Sequence, residues 1–322
     1  MALCALLPAA CSGGGGGDAR PDGTAEPQLA DPGMPGSYGV GVATLTFTRP
    51  STTTGEPRVL STVVWYPADV TPAGQPVSDA PPAARGGPFP VVMFSHGTGN
   101  EPTQATYFTE HLASWGFVVA APPHPGNTSA DCAPCGPESE ADSLLNRVDD
   151  IIFALDSLLQ LRIDAASPLG RIIDPGRTVM TGYSFGGWTA MAAGLEDRFD
   201  AIIAMAPAVP ALLLPHAGRL RTPVLMMSSG MDDRVDPAGI RELYDALPPD
   251  LPRHFLLFPE GGHHAFRDMC ARICSLPQAR AHELVNRYAT AFLEVFVVGD
   301  ERYAPSLRQS DPPDALISGY PE

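Results

Sequence analysis

The chain has 322 residues, 44% of them hydrophobic and only 17% charged, which is enough apolar material for one large core or two small ones. Its formal net charge is -16, which sets it against a phosphate backbone and excludes nucleic acid as a partner. All 20 basic residues are arginine, so Schiff-base chemistry and Ser-Lys dyads, which need an amine, are excluded as well.

In chain order, Met1 to Ala10 is short, apolar and uncharged, and it runs through Leu7-Pro8-Ala9-Ala10 into Cys11, Ser12 and five glycines. This resembles a bacterial lipobox followed by a flexible tether. The expectation is an exported protein, either secreted or attached to the cell envelope through a lipidated Cys11. Residues 1–36 read as this leader and tether, 37–300 as one catalytic domain, and 301–322, polar and Pro-rich, as a loose tail. Val40 to Phe47 and Val59 to Tyr66 have the alternating, β-branched pattern of strands. No helical pattern separates them, so they are expected to form an antiparallel hairpin at the edge of the sheet. Short apolar strands are then predicted at Pro90 to Ser95, Phe117 to Ala121, Thr178 to Thr181, Ala201 to Ala206, Val224 to Ser228 and His254 to Phe258. Helices are predicted at Thr103 to Trp115, Ala141 to Leu161, Phe185 to Leu195, Pro237 to Leu247 and Arg280 to Phe296. Continuous apolar strands alternating with helices imply an α/β fold: a mostly parallel central sheet with helices on both faces.

The body holds two close cysteine pairs, Cys132/Cys135 and Cys270/Cys274. Four cysteines allow three connectivities, and in an exported protein they are read as disulfides rather than a zinc site, with local pairing slightly ahead of the other two connectivities. No cofactor and no metal are expected, and the protein is expected to be a monomer.

The strongest chemical signal is Gly182-Tyr183-Ser184-Phe185-Gly186. It is a G-x-S-x-G placed between an apolar strand and a helix, the setting that gives this motif its meaning. Ser184 is the candidate nucleophile. The backbone N–H of Phe185, at a helix N-terminus, is a candidate oxyanion donor. Upstream, Phe94-Ser95-His96-Gly97-Thr98-Gly99 ends a strand, and the N–H of Thr98 is the second candidate donor. His96 itself is read as a structural loop residue. The orienting acid should follow a later strand, and Gly230-Met231-Asp232-Asp233-Arg234-Val235-Asp236-Pro237 offers three carboxylates. The pattern G-x-x-D-x-x-x-P selects Asp233. Asp236 fits a helix N-cap before Pro237, and Asp232 stays as the second choice. The base should lie in the loop after the last core strand, where Gly261-Gly262-His263-His264 selects His263 over His264. The order Ser, Asp, His then follows that of the α/β-hydrolases.

Together with Val63-Val64-Trp65-Tyr66-Pro67, His111-Leu112-Ala113-Ser114-Trp115-Gly116, His124-Pro125-Gly126-Asn127-Thr128 and Gly262-His263-His264-Ala265-Phe266, these motifs resemble the platelet-activating-factor acetylhydrolase type of α/β-hydrolase. Bacterial members of that type are often described as predicted dienelactone hydrolases. The resemblance covers roughly Tyr38 to Phe296 and is shared with bacterial polyester hydrolases of the cutinase type. It implies a serine esterase acting through an acyl-enzyme on short-chain, lipid-like or polyester substrates, with Ser184, Asp233 and His263 as triad and Thr98 and Phe185 as oxyanion donors. Pro123 and Tyr183 depart from the family pattern, and both bear on the substrate. Pro207 to Thr222 is too short for a lid domain. An acyltransferase on the same fold, or a non-catalytic surface binding module, are the competing readings. Trp65, Tyr183, Phe185 and Trp188 are candidates either for the pocket or, as large aromatics more usually are, for the core.

Overall fold

The computed structural model describes Met1, residues 29–132 and residues 135–319; the leader and Cys11 lie outside the described residues. Strands β1 (Gly39–Pro50) and β2 (Pro57–Ala68) form the expected antiparallel hairpin, in unbroken register from Gly39↔Ala68 to Pro50↔Pro57. A two-residue strand, β3 (Val77–Ser78), extends β1 at the sheet edge. The alternating units follow: β4 (Phe89–Ser95), α1 (Thr106–Ser114), β5 (Val118–Ala121), α2 (Pro137–Gln160), β6 (Ile173–Tyr183) and α3 (Phe185–Ala193). After them come β7 (Ala201–Met205), α4 (Leu214–Ala217), β8 (Val224–Ser229), α5 (Pro237–Asp245), β9 (Arg253–Phe258), α6 (Gln278–Leu293) and β10 (Leu316–Gly319).

The strands make one sheet in the order β10-β9-β8-β7-β6-β4-β5-β2-β1-β3. From β5 to β9 every pairing is parallel, and residues of β4, β5, β7 and β8 are buried throughout. That is the physical reason these strands read as continuous apolar runs: helices cover both faces, so neither face is polar. Helix α1 packs with α6 and α2 with α3. The chain leaves β4 toward β5 on one side and returns to β6 on the other. The carboxyl ends beside that reversal are where an open parallel sheet presents a site. Between β7 and β8 there is only a 3-10 turn at Pro210–Leu212 and the single-turn α4, so no lid domain is inserted in this connection.

Two expectations need correction. Residues 31–36, assigned to the tether, dock on α1. His111 Nε2 lies 3.0 Å from the Pro32 carbonyl, Trp115 Nε1 donates to the Met34 carbonyl, and the Gly36 N–H donates to Ser114 Oγ. The segment after residue 300, expected to be a loose tail, forms a 3-10 helix at Glu301–Leu307 and then β10, antiparallel to β9. Arg280 anchors it through Asp311 and Asp314. Its polar, Pro-rich composition hid a strand only four residues long. All four body cysteines pair locally, Cys132 with Cys135 and Cys270 with Cys274. Among the described residues, no helix is long and apolar enough to cross a membrane.

Candidate active site

Ser184 stands between β6 and α3 with φ 57° and ψ -117°, a left-handed conformation that a non-glycine residue adopts only under constraint. Its N–H donates to the Met205 carbonyl, and its carbonyl accepts from Trp188 and Ala208. The motif glycines make this turn possible. A Cβ on Gly182 would lie 2.2 Å from the Gly186 carbonyl oxygen, and one on Gly186 would lie 1.8 Å from that of Ser95. Strand, helix and the end of β4 therefore meet with no room for a side chain.

His263, in the turn after β9, places Nε2 3.0 Å from Ser184 Oγ. Its Nδ1 lies 2.7 Å from Asp232 Oδ2. The carboxylate facing the imidazole is thus Asp232, and the assignment to Asp233 is corrected. The Asp232 side chain is fully buried, and its Oδ1 accepts the backbone N–H groups of Arg234 and Val235. The turn after β8 therefore closes around this carboxylate and points it inward. Asp233, one residue on, pairs with Arg272 at 2.5 Å; desolvation pushes its carboxyl up, but the hydrogen bond and charge of Arg272 together outweigh that and hold it below the usual range. Asp236 caps α5 by accepting from the Ala238 N–H, as its place before Pro237 implies. A G-x-x-D spacing cannot fix a one-residue register in a loop, whereas the side-chain-to-backbone bonds of Asp232 do.

His264 lines the same pocket but makes no hydrogen bond to Ser184 among the described contacts. It accepts the Ala271 N–H on Nδ1, and burial, aided by the Arg267 charge, lowers it to about 4. His96 is wholly buried; its Nδ1 lies 2.8 Å from the Gly97 carbonyl, and its Nε2 accepts the His124 N–H. Burial keeps it neutral. Thr98 lines the pocket beside Ser184, and Phe185 begins α3, where a backbone N–H has no intrahelical acceptor. Of the four candidate aromatics, Tyr183 lines the pocket, while Trp65, Phe185 and Trp188 are core. The Tyr183 hydroxyl donates to the His263 carbonyl at 3.0 Å and so steadies the base from behind.

Beneath the site lies a buried polar network that the sequence did not reveal as such. Arg147, on α2, is wholly buried. It donates to the His96 carbonyl (2.7 Å), Ser95 Oγ (3.1 Å), Asn127 Oδ1 (2.8 Å) and Ser143 Oγ (2.9 Å). Its guanidinium also sits 4.5 Å from the Phe185 ring centroid. Ser95 Oγ lies 2.9 Å from His124 Nε2, and His124 Nδ1 lies 3.1 Å from Asp150. Asp150 also receives Arg58 and Arg49, each at 2.7 Å. Burial raises the Asp150 carboxyl, but hydrogen bonds from His124 and Arg58 outweigh it and leave it at about 2. Gln104 Oε1 accepts the Gly97 N–H at 2.7 Å. The available signal was a cation inside an apolar stripe: Arg147 falls in helical register with Leu144, Ile151 and Leu155.

A profile of the PET hydrolase-like family matches residues 80–318. Cutinase 2 of Thermobifida cellulosilytica is 26% identical over 221 residues, covering 68% of this chain and 72% of that protein. Cutinase cut1 of Thermobifida fusca is likewise 26% identical over 221 residues, but there the match spans only 60% of the relative's length. Chlorophyllase-1 of Citrus sinensis is 26% identical over 192 residues, 57% of this chain and 53% of that protein. Among solved structures, a ferulic acid esterase from Streptomyces cinnamoneus superposes with a TM-score of 0.67, covering 89% of this chain and 98% of its own, at 22% identity; this likeness bears on the fold. With some three quarters of its length inside the family profile and an α/β-hydrolase architecture, the chain belongs to the PET hydrolase-like family of carboxylic ester hydrolases.

Proposed function

We propose that the protein hydrolyses carboxylic esters through an acyl-enzyme formed on Ser184. The line Ser184–His263–Asp232, with its 3.0 and 2.7 Å contacts on a strained turn, is the observation that carries this reading. His263 Nε2 takes the hydroxyl proton as Ser184 Oγ attacks the ester carbonyl. Asp232 holds Nδ1–H and stabilises the imidazolium. The N–H groups of Thr98 and Phe185 receive the oxyanion, each worth about 3 kcal/mol in the transition state. His263 then protonates the departing alcohol, and water repeats the sequence to release the acid.

Substrates are short-chain, lipid-like or polyester carboxylic esters, in keeping with the open carboxyl end of the sheet. The site of action is outside the cytoplasm, since two local disulfides persist in an oxidising compartment. Attachment through a lipidated Cys11 belongs to the same reading. The test is hydrolysis of p-nitrophenyl acetate, butyrate and octanoate by the wild type beside Ser184→Ala. The substitution should lower kcat by about 10⁴-fold or more, and equal rates for the two proteins would refute the mechanism.

A further inference from the structure

The pocket beside Ser184 encloses about 470 Å³. Sites for apolar ligands are lined mainly by hydrophobic and aromatic groups, with few polar ones. Here Asn100, Arg234, His264 and Arg267 are among the lining residues, and Tyr183, Ala208 and Val235 are its main apolar contributors. The nearby carboxylates are already engaged. Asp232 takes His263, Asp233 takes Arg272, and Asp268 accepts the N–H groups of Thr106 and Tyr107 at the start of α1. Among the described residues, neither Arg234 nor Arg267 has a carboxylate within 4.0 Å, the distance of an ion pair. Arg267 is fixed at the wall by one hydrogen bond, Nη2 to Asn100 Oδ1 at 3.1 Å. Arg234 leaves the same turn whose backbone holds Asp232. Both charges act on Tyr183 and His264, so both fields reach the pocket. Among the described lining residues the acidic one is Glu140, which lines the pocket together with Cys132 and Cys135.

We infer that Arg234 and Arg267 form an anion subsite, and that the preferred substrates are esters carrying a carboxylate a short spacer from the scissile bond, such as half-esters of dicarboxylic acids. This rests on the ester-hydrolase reading and names its substrate class. A guanidinium without an internal carboxylate is matched by one on a ligand, which it binds through two parallel hydrogen bonds. The rest of the chain, at a net -16, repels such a substrate at long range. A local cationic pair is what would make its capture favourable at close quarters.

The experiment compares kcat/KM for p-nitrophenyl hydrogen glutarate and its neutral methyl ester. A second pair places the charge on the leaving group: the butyrate esters of para-hydroxybenzoate and of its methyl ester. The wild type should favour the anionic member of at least one pair. The double substitution Arg234→Gln/Arg267→Gln should lower that ratio about tenfold, while Arg234→Lys/Arg267→Lys, which keeps the charge but not the bidentate fork, should give a ratio between the two. Added salt should shrink the ratio in the wild type. A wild-type ratio at or below one in both pairs, or a ratio that survives the double Gln substitution, overturns the subsite. Loss of the ester-hydrolase reading is separable: wild type and Ser184→Ala would then release no p-nitrophenolate. Calorimetric titration of Ser184→Ala with p-nitrophenyl hydrogen glutarate still reads the subsite, by whether binding is present and is lost in the double Gln background.

Discussion

Arg147 Nη1 lies 2.7 Å from the His96 carbonyl oxygen, so a buried cation on α2 holds the peptide immediately before the one that carries the Thr98 N–H. The same guanidinium packs on the Phe185 ring. One side chain thus braces both segments proposed to supply oxyanion donors, without reaching the pocket. Donors placed in advance are what make an oxyanion site effective, because no reorganisation is needed as charge develops.

Arg147→Met should therefore lower kcat for p-nitrophenyl butyrate by about 10- to 100-fold with a smaller change in KM. It should also cost roughly 1–3 kcal/mol of stability, since the His96 carbonyl and Asn127 Oδ1 lose their donor. Arg147→Lys should restore little, because an ammonium cannot reproduce a fork that spans four acceptors. Steady-state kinetics beside thermal unfolding check this. A variant that loses stability but keeps kcat would reduce Arg147 to a packing role.

The two neighbouring carboxylates should separate cleanly. Asp232→Asn leaves a neutral amide against His263 and should lower kcat on the order of 10⁴-fold, through the wrong tautomer and an unstabilised imidazolium. Asp233→Asn breaks only a surface pair with Arg272 and should leave kcat within about twofold and the unfolding midpoint essentially unchanged. The opposite ranking would return the acid to Asp233.

The difference between those two residues also marks what the sequence could convey. Gly182-Tyr183-Ser184-Phe185-Gly186 was legible because sterics restrict the turn to glycines, and the apolar strands were legible because both their faces are covered. Asp232 was not chosen, since its role depends on which side chain a loop folds inward. Arg147 was passed over because a lone cation in a helical stripe reads as a surface residue until its acceptors, at Ser95–His96 and Asn127, come from two other segments. The tail failed for another reason: β10 has four residues, and its partner strand lies more than fifty positions earlier in the chain.

Acid should unfold the protein early. Burial lowers His111, against an opposing hydrogen bond from Nε2 to Pro32, to about 4. It lowers His254 to about 4 and His124 to about 3, and His96 lies well below its usual 6.5. In each case the folded value is below the unfolded one, so the unfolded chain takes up the proton first. Stability is then full above about pH 6.5 and falls as the pH drops toward 4, by at most about 3 kcal/mol for His111. Glu294, raised by burial to about 7, works the other way, losing stability as pH rises from about 4.5 to 7. The histidines outnumber it. Unfolding midpoints measured at pH 8, 6, 5 and 4 should fall steeply below 6, and a flat profile would contradict these burial shifts.

Removing residues 310–322 tests whether the C-terminal segment belongs to the domain. Its loss would strip β9 of its antiparallel partner between His254 and Leu257. It would also uncover the site filled by Ala315, which is fully buried, and release Arg280 from Asp311 and Asp314. The ion pairs are part-exposed and contribute little singly, so most of the cost should come from the bared strand edge and the apolar surface of Ala315 and Ile317, about 2–4 kcal/mol in all. Because β9 leads directly into the turn that holds His263, the truncated protein should also lose kcat more than it gains in KM. A truncation that leaves both the unfolding midpoint and kcat unchanged would return the segment to the loose tail its composition suggests.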